Sequence, residues 1–314
     1  MMLARVADSL YWVGRYVERA EHLSRLSAVM LNATLDRTEA GAQAAQLARA
    51  SIGDPQSGGL ADPFEAARSL VLDRERGGSV VVSLAGAREN ARQVRDQITT
   101  ETWERLNLLY LRATGAQTER DFDADAPEFL QGVIADLHLF KGAADATMSH
   151  GEGWRFMLIG VHLERAQLIA RLLRVCFSGG AGGRVLDDHL ALVSILRMAC
   201  ALEPYLRTYT ADLHPRYILQ FLLFDEDFPR SIRYSTALIE DHLTHISKGR
   251  EVGRGDPLRL AGRLNARLTY TDVEDVEATG ASAILNTVEA ECSAIHQAMY
   301  ETFVAYPLET RLPA

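Results

Sequence analysis

Two glutamate–arginine pairs offer the most definite chemistry in this sequence: Glu18 with Arg19, and Glu164 with Arg165. Each lies in a copy of one stretch, GRYVERAEHLSRL at 14–26 and GVHLERAQLIARL at 160–172, and six of the thirteen positions are identical at an offset of 146. A carboxylate beside a guanidinium serves one of two ends. Buried, the pair staples helices in register; open to a cleft, its arginine grips a carboxylate or phosphate with two parallel N–H groups. Neighbouring helical residues point about 100° apart, so neither Glu comfortably bonds its own adjacent Arg. The spacing therefore predicts crossed pairing about a pseudo-twofold axis, the Glu of one copy against an Arg of the other. Arg15 or Arg25 for Glu18, and Arg171 for Glu164, are the alternatives.

A second arginine group stands in ARENARQVR and FPRSIR. Arg230 follows Arg88 by 142 residues, close to the offset of the first echo. If a twofold arrangement gathers these segments, Arg88, Arg92, Arg230 and Arg233 line an anion-binding cleft at the Glu-Arg centre. If Glu89, Glu226 and Asp227 neutralise them, they are ordinary paired surface arginines.

Metal chemistry has three candidate groups: Glu18 with Glu21 and His22, His242 with His245, and Asp188 with His189. Helical di-iron sites repeat a Glu-x-x-His element on two helices, and this sequence does not, so no metal and no cofactor is expected. G-x-S-x-G is absent. Cys176, Cys200 and Cys292 are far apart and read as buried thiols of a reducing compartment. No catalytic residue is assigned.

The elements that position these groups read as helices. In the first copy Leu3, Val6, Leu10, Val13, Val17 and Ala20 keep a three-four spacing. In the second, Trp154 to Val175 is apolar on nearly every side, which marks a central buried helix whose Glu164 needs a cationic partner. Helix is also expected over about 3–36, 39–51, from Pro63, and over 83–113, with a polar turn at 115–125. Further helices are read at 127–148, 186–209, 215–224, after Pro229 as the first helical residue, and over a striped final segment from Ile284 to Phe303. Gly-rich stretches at 51–63 and 178–183 read as a loop and a linker. No strand run appears. The fold class is all-α, a multi-helix bundle of roughly nine to twelve helices built from two internally repeated halves, about 1–125 and 126–314, around the paired Glu-Arg helices.

Acids outnumber bases, 42 to 33, giving a net charge of −9, which argues against nucleic acid as a partner. The first residues acquire charge too early for a signal peptide, and no run of eighteen apolar residues occurs, so a cytoplasmic protein is expected.

MLARVADSLYWVGRYVERAE, ARENARQVRDQITTETWERLN, EGWRFMLIGVHLERAQLIARLL and FPRSIRYS, taken in order, resemble the Alpha-E family, an all-helical domain named for a Glu-Arg motif. The resemblance spans nearly the whole chain. It implies partners, a circularly permuted ATP-grasp-like protein and a transglutaminase-like protein, and a supporting part in a peptide-forming or peptide-modifying system. It transfers motif status to Glu18, Arg19, Glu164 and Arg165 and no catalytic role. Three functions follow as expectations: a non-catalytic helical partner of an ATP-grasp-like ligase, an amide-forming enzyme with an anion-binding Glu-Arg cleft, and a structural oligomerising protein.

Overall fold

Helix ends in this chain are written in short polar residues. In the computed structural model, which describes residues 2–35, 39–53, 62–177, 188–209 and 212–305, the described residues form fifteen α-helices and no strand. They are α1 (Ala4–Leu35), α2 (Glu39–Ser51), α3 (Pro63–Leu72), α4 (Val80–Gln93), α5 (Thr100–Thr114), α6 (Thr118–Ala124), α7 (Ala126–Thr147) and α8 (Glu152–Phe177). After these come α9 (His189–Met198), α10 (Leu202–Tyr209), α11 (Pro215–Phe224), α12 (Ile232–Ile246), α13 (Pro257–Tyr270), α14 (Val273–Thr279) and α15 (Ala281–Met299), closed by a single π turn, Tyr300–Val304. Asp62, Ser79, Thr99, Asp125, Asp188, Ser231, Asp256 and Asp272 each accept a backbone N–H of the helix they open. Such a cap satisfies a donor that has no partner within the helix.

The all-α class holds, with more helices than the nine to twelve expected because several runs are broken. The run expected over 83–113 divides: α4 ends at Gln93, and Thr99, extended and bonded to Thr102 N–H, starts α5 afresh. The polar turn at 115–125 contains the short helix α6. The segment ending at Tyr209 breaks at Cys200, which takes a left-handed backbone angle of φ 56°, a conformation that ends a right-handed helix. Pro229 precedes the helix it was expected to begin; Ser231 caps it through Tyr234 N–H, so Ile232 is the first helical residue. The linker at 178–183 and most of the loop at 51–63 lie outside the described residues.

The frame that matters for the site is the α1–α8 pair, which share the most extensive contact between any two elements. Contacts join Met2 to Glu152, Arg15 to Glu164 and Glu18 to Arg165, so the helices run side by side in the same direction. In α8, Val161, His162, Leu163 and Glu164 are consecutive and all buried, so this helix is enclosed on every side. Flanking α1 are α4, α2, α7 and α3; flanking α8 are α12, α15 and α2.

Candidate functional site

Glycine determines how near the two helices come. A Cβ on Gly14 would stand 2.0 Å from the Met157 carbonyl oxygen, and one on Gly160 would stand 2.1 Å from that of Tyr11. Both pairs of positions differ by the same 146 residues, so the two contacts are mates. Only a residue without a side chain permits backbones to touch in this way. Glu18 and Glu164 follow their glycines by four residues, one helical turn on, and therefore face the same seam.

Across that seam the pairing is crossed. Arg165 holds Glu18 with two donors, Nε at 2.7 Å and Nη2 at 2.8 Å, while Arg19 Nε donates to Glu164 at 2.6 Å. Arg15, one of the alternatives considered for Glu18, instead joins Arg19 on Glu164 and also donates to Gln167 and to the Tyr11 hydroxyl, both at 2.8 Å. Arg25 bonds Glu21 at 2.9 Å, and Arg171 lies by Glu289. Arg165 is well buried and Arg19 is partly buried, its side chain 23% exposed.

Four further groups enter that the motif alone did not point to. Glu21 is fully buried; Lys141 from α7 bridges it to Glu18 at 2.5 and 2.6 Å. Arg230, between α11 and α12, bonds both Glu21 and Glu18. His22 lies buried among these charges, and its Nε2 has no partner among the described residues. Lys141 carried one signal: it is one of only two lysines in the chain, set in an apolar helix.

Of the four arginines expected to form a cleft, Arg230 alone reaches the centre. Arg88 donates to Asn107 at 2.8 Å and lies 4.7 Å above the Tyr110 ring. Arg92 is exposed on a two-pronged pair with Glu89. Arg233 pairs with Glu226 at 2.7 Å and the Phe224 carbonyl. The expected convergence fails because α4 packs on α1, α3 and α5, whereas α12 packs on α8, α11 and α13. The acids that compete for the arginines do so locally, as Glu89 and Glu226 show.

Burial pushes every carboxylate of the centre toward its neutral form, and the cations outweigh it. Glu18 is held well below the usual carboxylate range against its burial by Arg165, Lys141 and Arg230. Glu21 is lowered by Lys141, His138 and Arg230, and Glu164 by Arg15 and Arg19, again against burial. His22 falls to about 4 through burial and the nearby Arg230. Burial also lifts the Cys176 and Cys292 thiols to about 12. Three carboxylates are thus fixed as anions, bonded to six cations: Arg15, Arg19, Arg25, Lys141, Arg165 and Arg230. Such an arrangement fixes helix register and offers excess positive charge. It is poorly suited to moving protons at neutral pH, where a general acid or base works best with a pKa near the operating pH.

A helical domain marked by a Glu-Arg motif is also what the comparison with known families finds. The model of the Alpha-E family, described as a predicted alpha-helical domain with a conserved ER motif, matches residues 2–304, and the chain belongs to this family. Of the Glu-Arg dipeptides in the sequence, those at 18–19 and 164–165 have buried glutamates, whereas Glu75, Glu104 and Glu119 are exposed. The uncharacterized proteins Mb2597 of Mycobacterium bovis and Rv2567 of Mycobacterium tuberculosis are each 26% identical over 320 residues, covering 94% of this chain. The chain spans only 35% of the length of either relative. No solved structure matches.

Proposed function

We propose that this protein is a non-catalytic helical partner in a peptide- or amide-forming system, acting beside an ATP-grasp-like ligase and a transglutaminase-like protein in the cytoplasm. The observation that carries the reading is the locked state of the Glu-Arg centre. Its carboxylates are held as anions, its histidine is held neutral, and the buried thiols are held protonated. A group so constrained serves architecture. The curated relatives fit this reading, since the matched region is 35% of each and the rest is further chain. Free cysteines, with Cys176 and Cys292 buried, fit a reducing setting.

A second reading rests on the surplus of cations. Among the described residues, the terminal nitrogens of Arg19 have no hydrogen-bond partner, and the Lys141 side chain is 25% exposed. An anionic group of a peptide or partner would balance that charge at the edge of the centre.

ATP turnover with candidate amino acids tests the first reading, using the ligase-like protein and this protein separately and then mixed. The expected result is no turnover by this protein alone and a raised amide yield in the mixture. Amide formation by this protein alone, or a mixture no better than the ligase-like protein, overturns it.

A further inference from the structure

The N-terminal part of α1 carries a second constellation, outside the Glu-Arg centre but connected to it. Asp8, Tyr11 and Trp12 share one helix face by their i, i+3, i+4 spacing, and His296 from the end of α15 stacks on it. Between them lies a cavity of about 160 Å3 walled by Trp12, Phe156, Met299 and Phe303. A second cavity of about 210 Å3 shares Phe156 and Phe303 with it and reaches Glu152. The π turn Tyr300–Val304 forms part of both walls, and such turns recur at functional positions.

Tyr11 links Arg15 to His296. Arginine only donates, and Arg15 Nη1 gives its proton to the Tyr11 oxygen at 2.8 Å. The Tyr11 hydroxyl and His296 Nδ1 share a second bond, also at 2.8 Å, in which the phenol donates when the ring carries its hydrogen on Nε2. Burial and the Arg15 charge lower the His296 pKa, which favours the neutral ring, and in the tautomer that accepts at Nδ1 the donor is Nε2. The ring is held parallel to Tyr11 at 12° and edge-on to Trp12 at 83°, so this donor has a fixed direction.

Asp8 supplies the opposite chemistry. Its carboxyl is half-buried beside Trp12 and has no cationic partner among the described residues; burial raises its pKa. A carboxylate drawn out of water without a counterion is costly, and a ligand cation would relieve that cost. Aromatic walls favour the same charge, since ring faces attract cations.

We propose that this cavity binds an apolar amino terminus, its ammonium on Asp8, its adjacent carbonyl oxygen on His296 Nε2–H, and its side chain among Trp12, Phe156 and Phe303. The site is independent of the ligase reading. An aminoacyl amide and the first residue of a peptide share this chemistry, whereas a free amino acid brings its carboxylate toward Asp8 and Glu152.

Calorimetric titration with phenylalaninamide, its N-acetyl derivative and the tripeptide Phe-Gly-Gly tests the proposal on the whole chain. Phenylalaninamide is expected to saturate the protein and quench Trp12 fluorescence, and N-acetylation to weaken binding by about tenfold or more, the loss of one charged contact. Asp8→Asn should reproduce that loss with an unchanged melting temperature, and His296→Phe should weaken both amide and tripeptide. Tighter binding of Phe-Gly-Gly than of the amide assigns the site to peptide ends; the reverse assigns it to small aminoacyl compounds. No saturation by either unblocked ligand, or equal binding of the acetylated one to the wild-type protein, overturns the proposal whatever the variants do.

Discussion

Gly14 of α1 and Gly160 of α8 are mates across one seam, each with its Cα against a carbonyl oxygen of the other helix. This closeness sets the reach of everything that follows in both helices. With a side chain at either position the backbones would part, and the glutamates one turn on would lose the distance at which Arg19 and Arg165 meet them.

Gly14→Ala and Gly160→Ala should therefore each destabilise the fold by about 1–3 kcal/mol or more, the usual range for forcing atoms into a packed interior. Gly142 on α7 provides the control, since a Cβ there meets nothing within 4 Å. Gly142→Ala should be neutral or stabilising by up to about 1 kcal/mol through helix propensity. Urea unfolding of the three variants checks this, and similar midpoints for all three would remove the close contact from the account.

Acid should weaken the protein before its carboxylates titrate. The folded pKa of His22 is about 4 against an ordinary 6.5, so the unfolded chain binds this proton first. Its contribution is complete above about pH 6.5 and is lost as pH falls toward about 4, amounting to roughly 3 kcal/mol at the acid end. Glu164, whose folded pKa is lowered, contributes above its unfolded value of 4.5 and loses that contribution only at more acid pH. Melting temperature followed from neutral pH downward should fall for the wild type and be flatter for His22→Leu, which installs the residue found at Leu168 in the other copy. Parallel curves would mean that His22 is not held neutral by its surroundings.

Arginines that look alike in sequence should behave differently. Arg230→Ala removes a charged donor from two buried carboxylates that keep other cations, a loss of about 1.5–3 kcal/mol. Arg92→Ala affects only an exposed pair with Glu89 and should leave the melting temperature unchanged. Equal melting temperatures for both variants would show that Arg230 is not part of the centre.

Much of the centre was legible because helical geometry rules out bonds between adjacent side chains. Once Glu18 and Arg19 cannot pair, and the same pattern returns at Glu164 and Arg165, a crossed arrangement is the simplest one that satisfies buried charge. Helix class and most starts were legible in the three-four spacing and in prolines such as Pro63 and Pro127, which lie in the first turn of α3 and α7. The division between α4 and α5 was hidden, since Val94 and Ile98 continue the apolar spacing through a turn that Thr99 ends. Arg230 was expected at the centre from its order along the chain, but its partner Glu21 was not, and Lys141 was out of reach because α7 has no sequence relation to α1. Only packing brings α7 and the start of α12 beside Glu21. The expected cleft failed for the same reason: order along the chain placed Arg88 and Arg230 alike, and packing separates them.

The crossed pairing itself is tested by a double-mutant cycle on Glu18 and Arg165, with unfolding free energies of the wild type, Glu18→Ala, Arg165→Ala and the double variant. Glu18→Ala strands Arg165 and leaves Lys141 and Arg230 with Glu21 alone, and should cost about 3–5 kcal/mol, whereas Arg165→Ala leaves Glu18 two other cations and should cost less. The double variant should be less destabilised than the sum of the singles, with a coupling of roughly 1 kcal/mol or more. Additive losses would contradict it, because side chains that act independently are not holding α1 against α8.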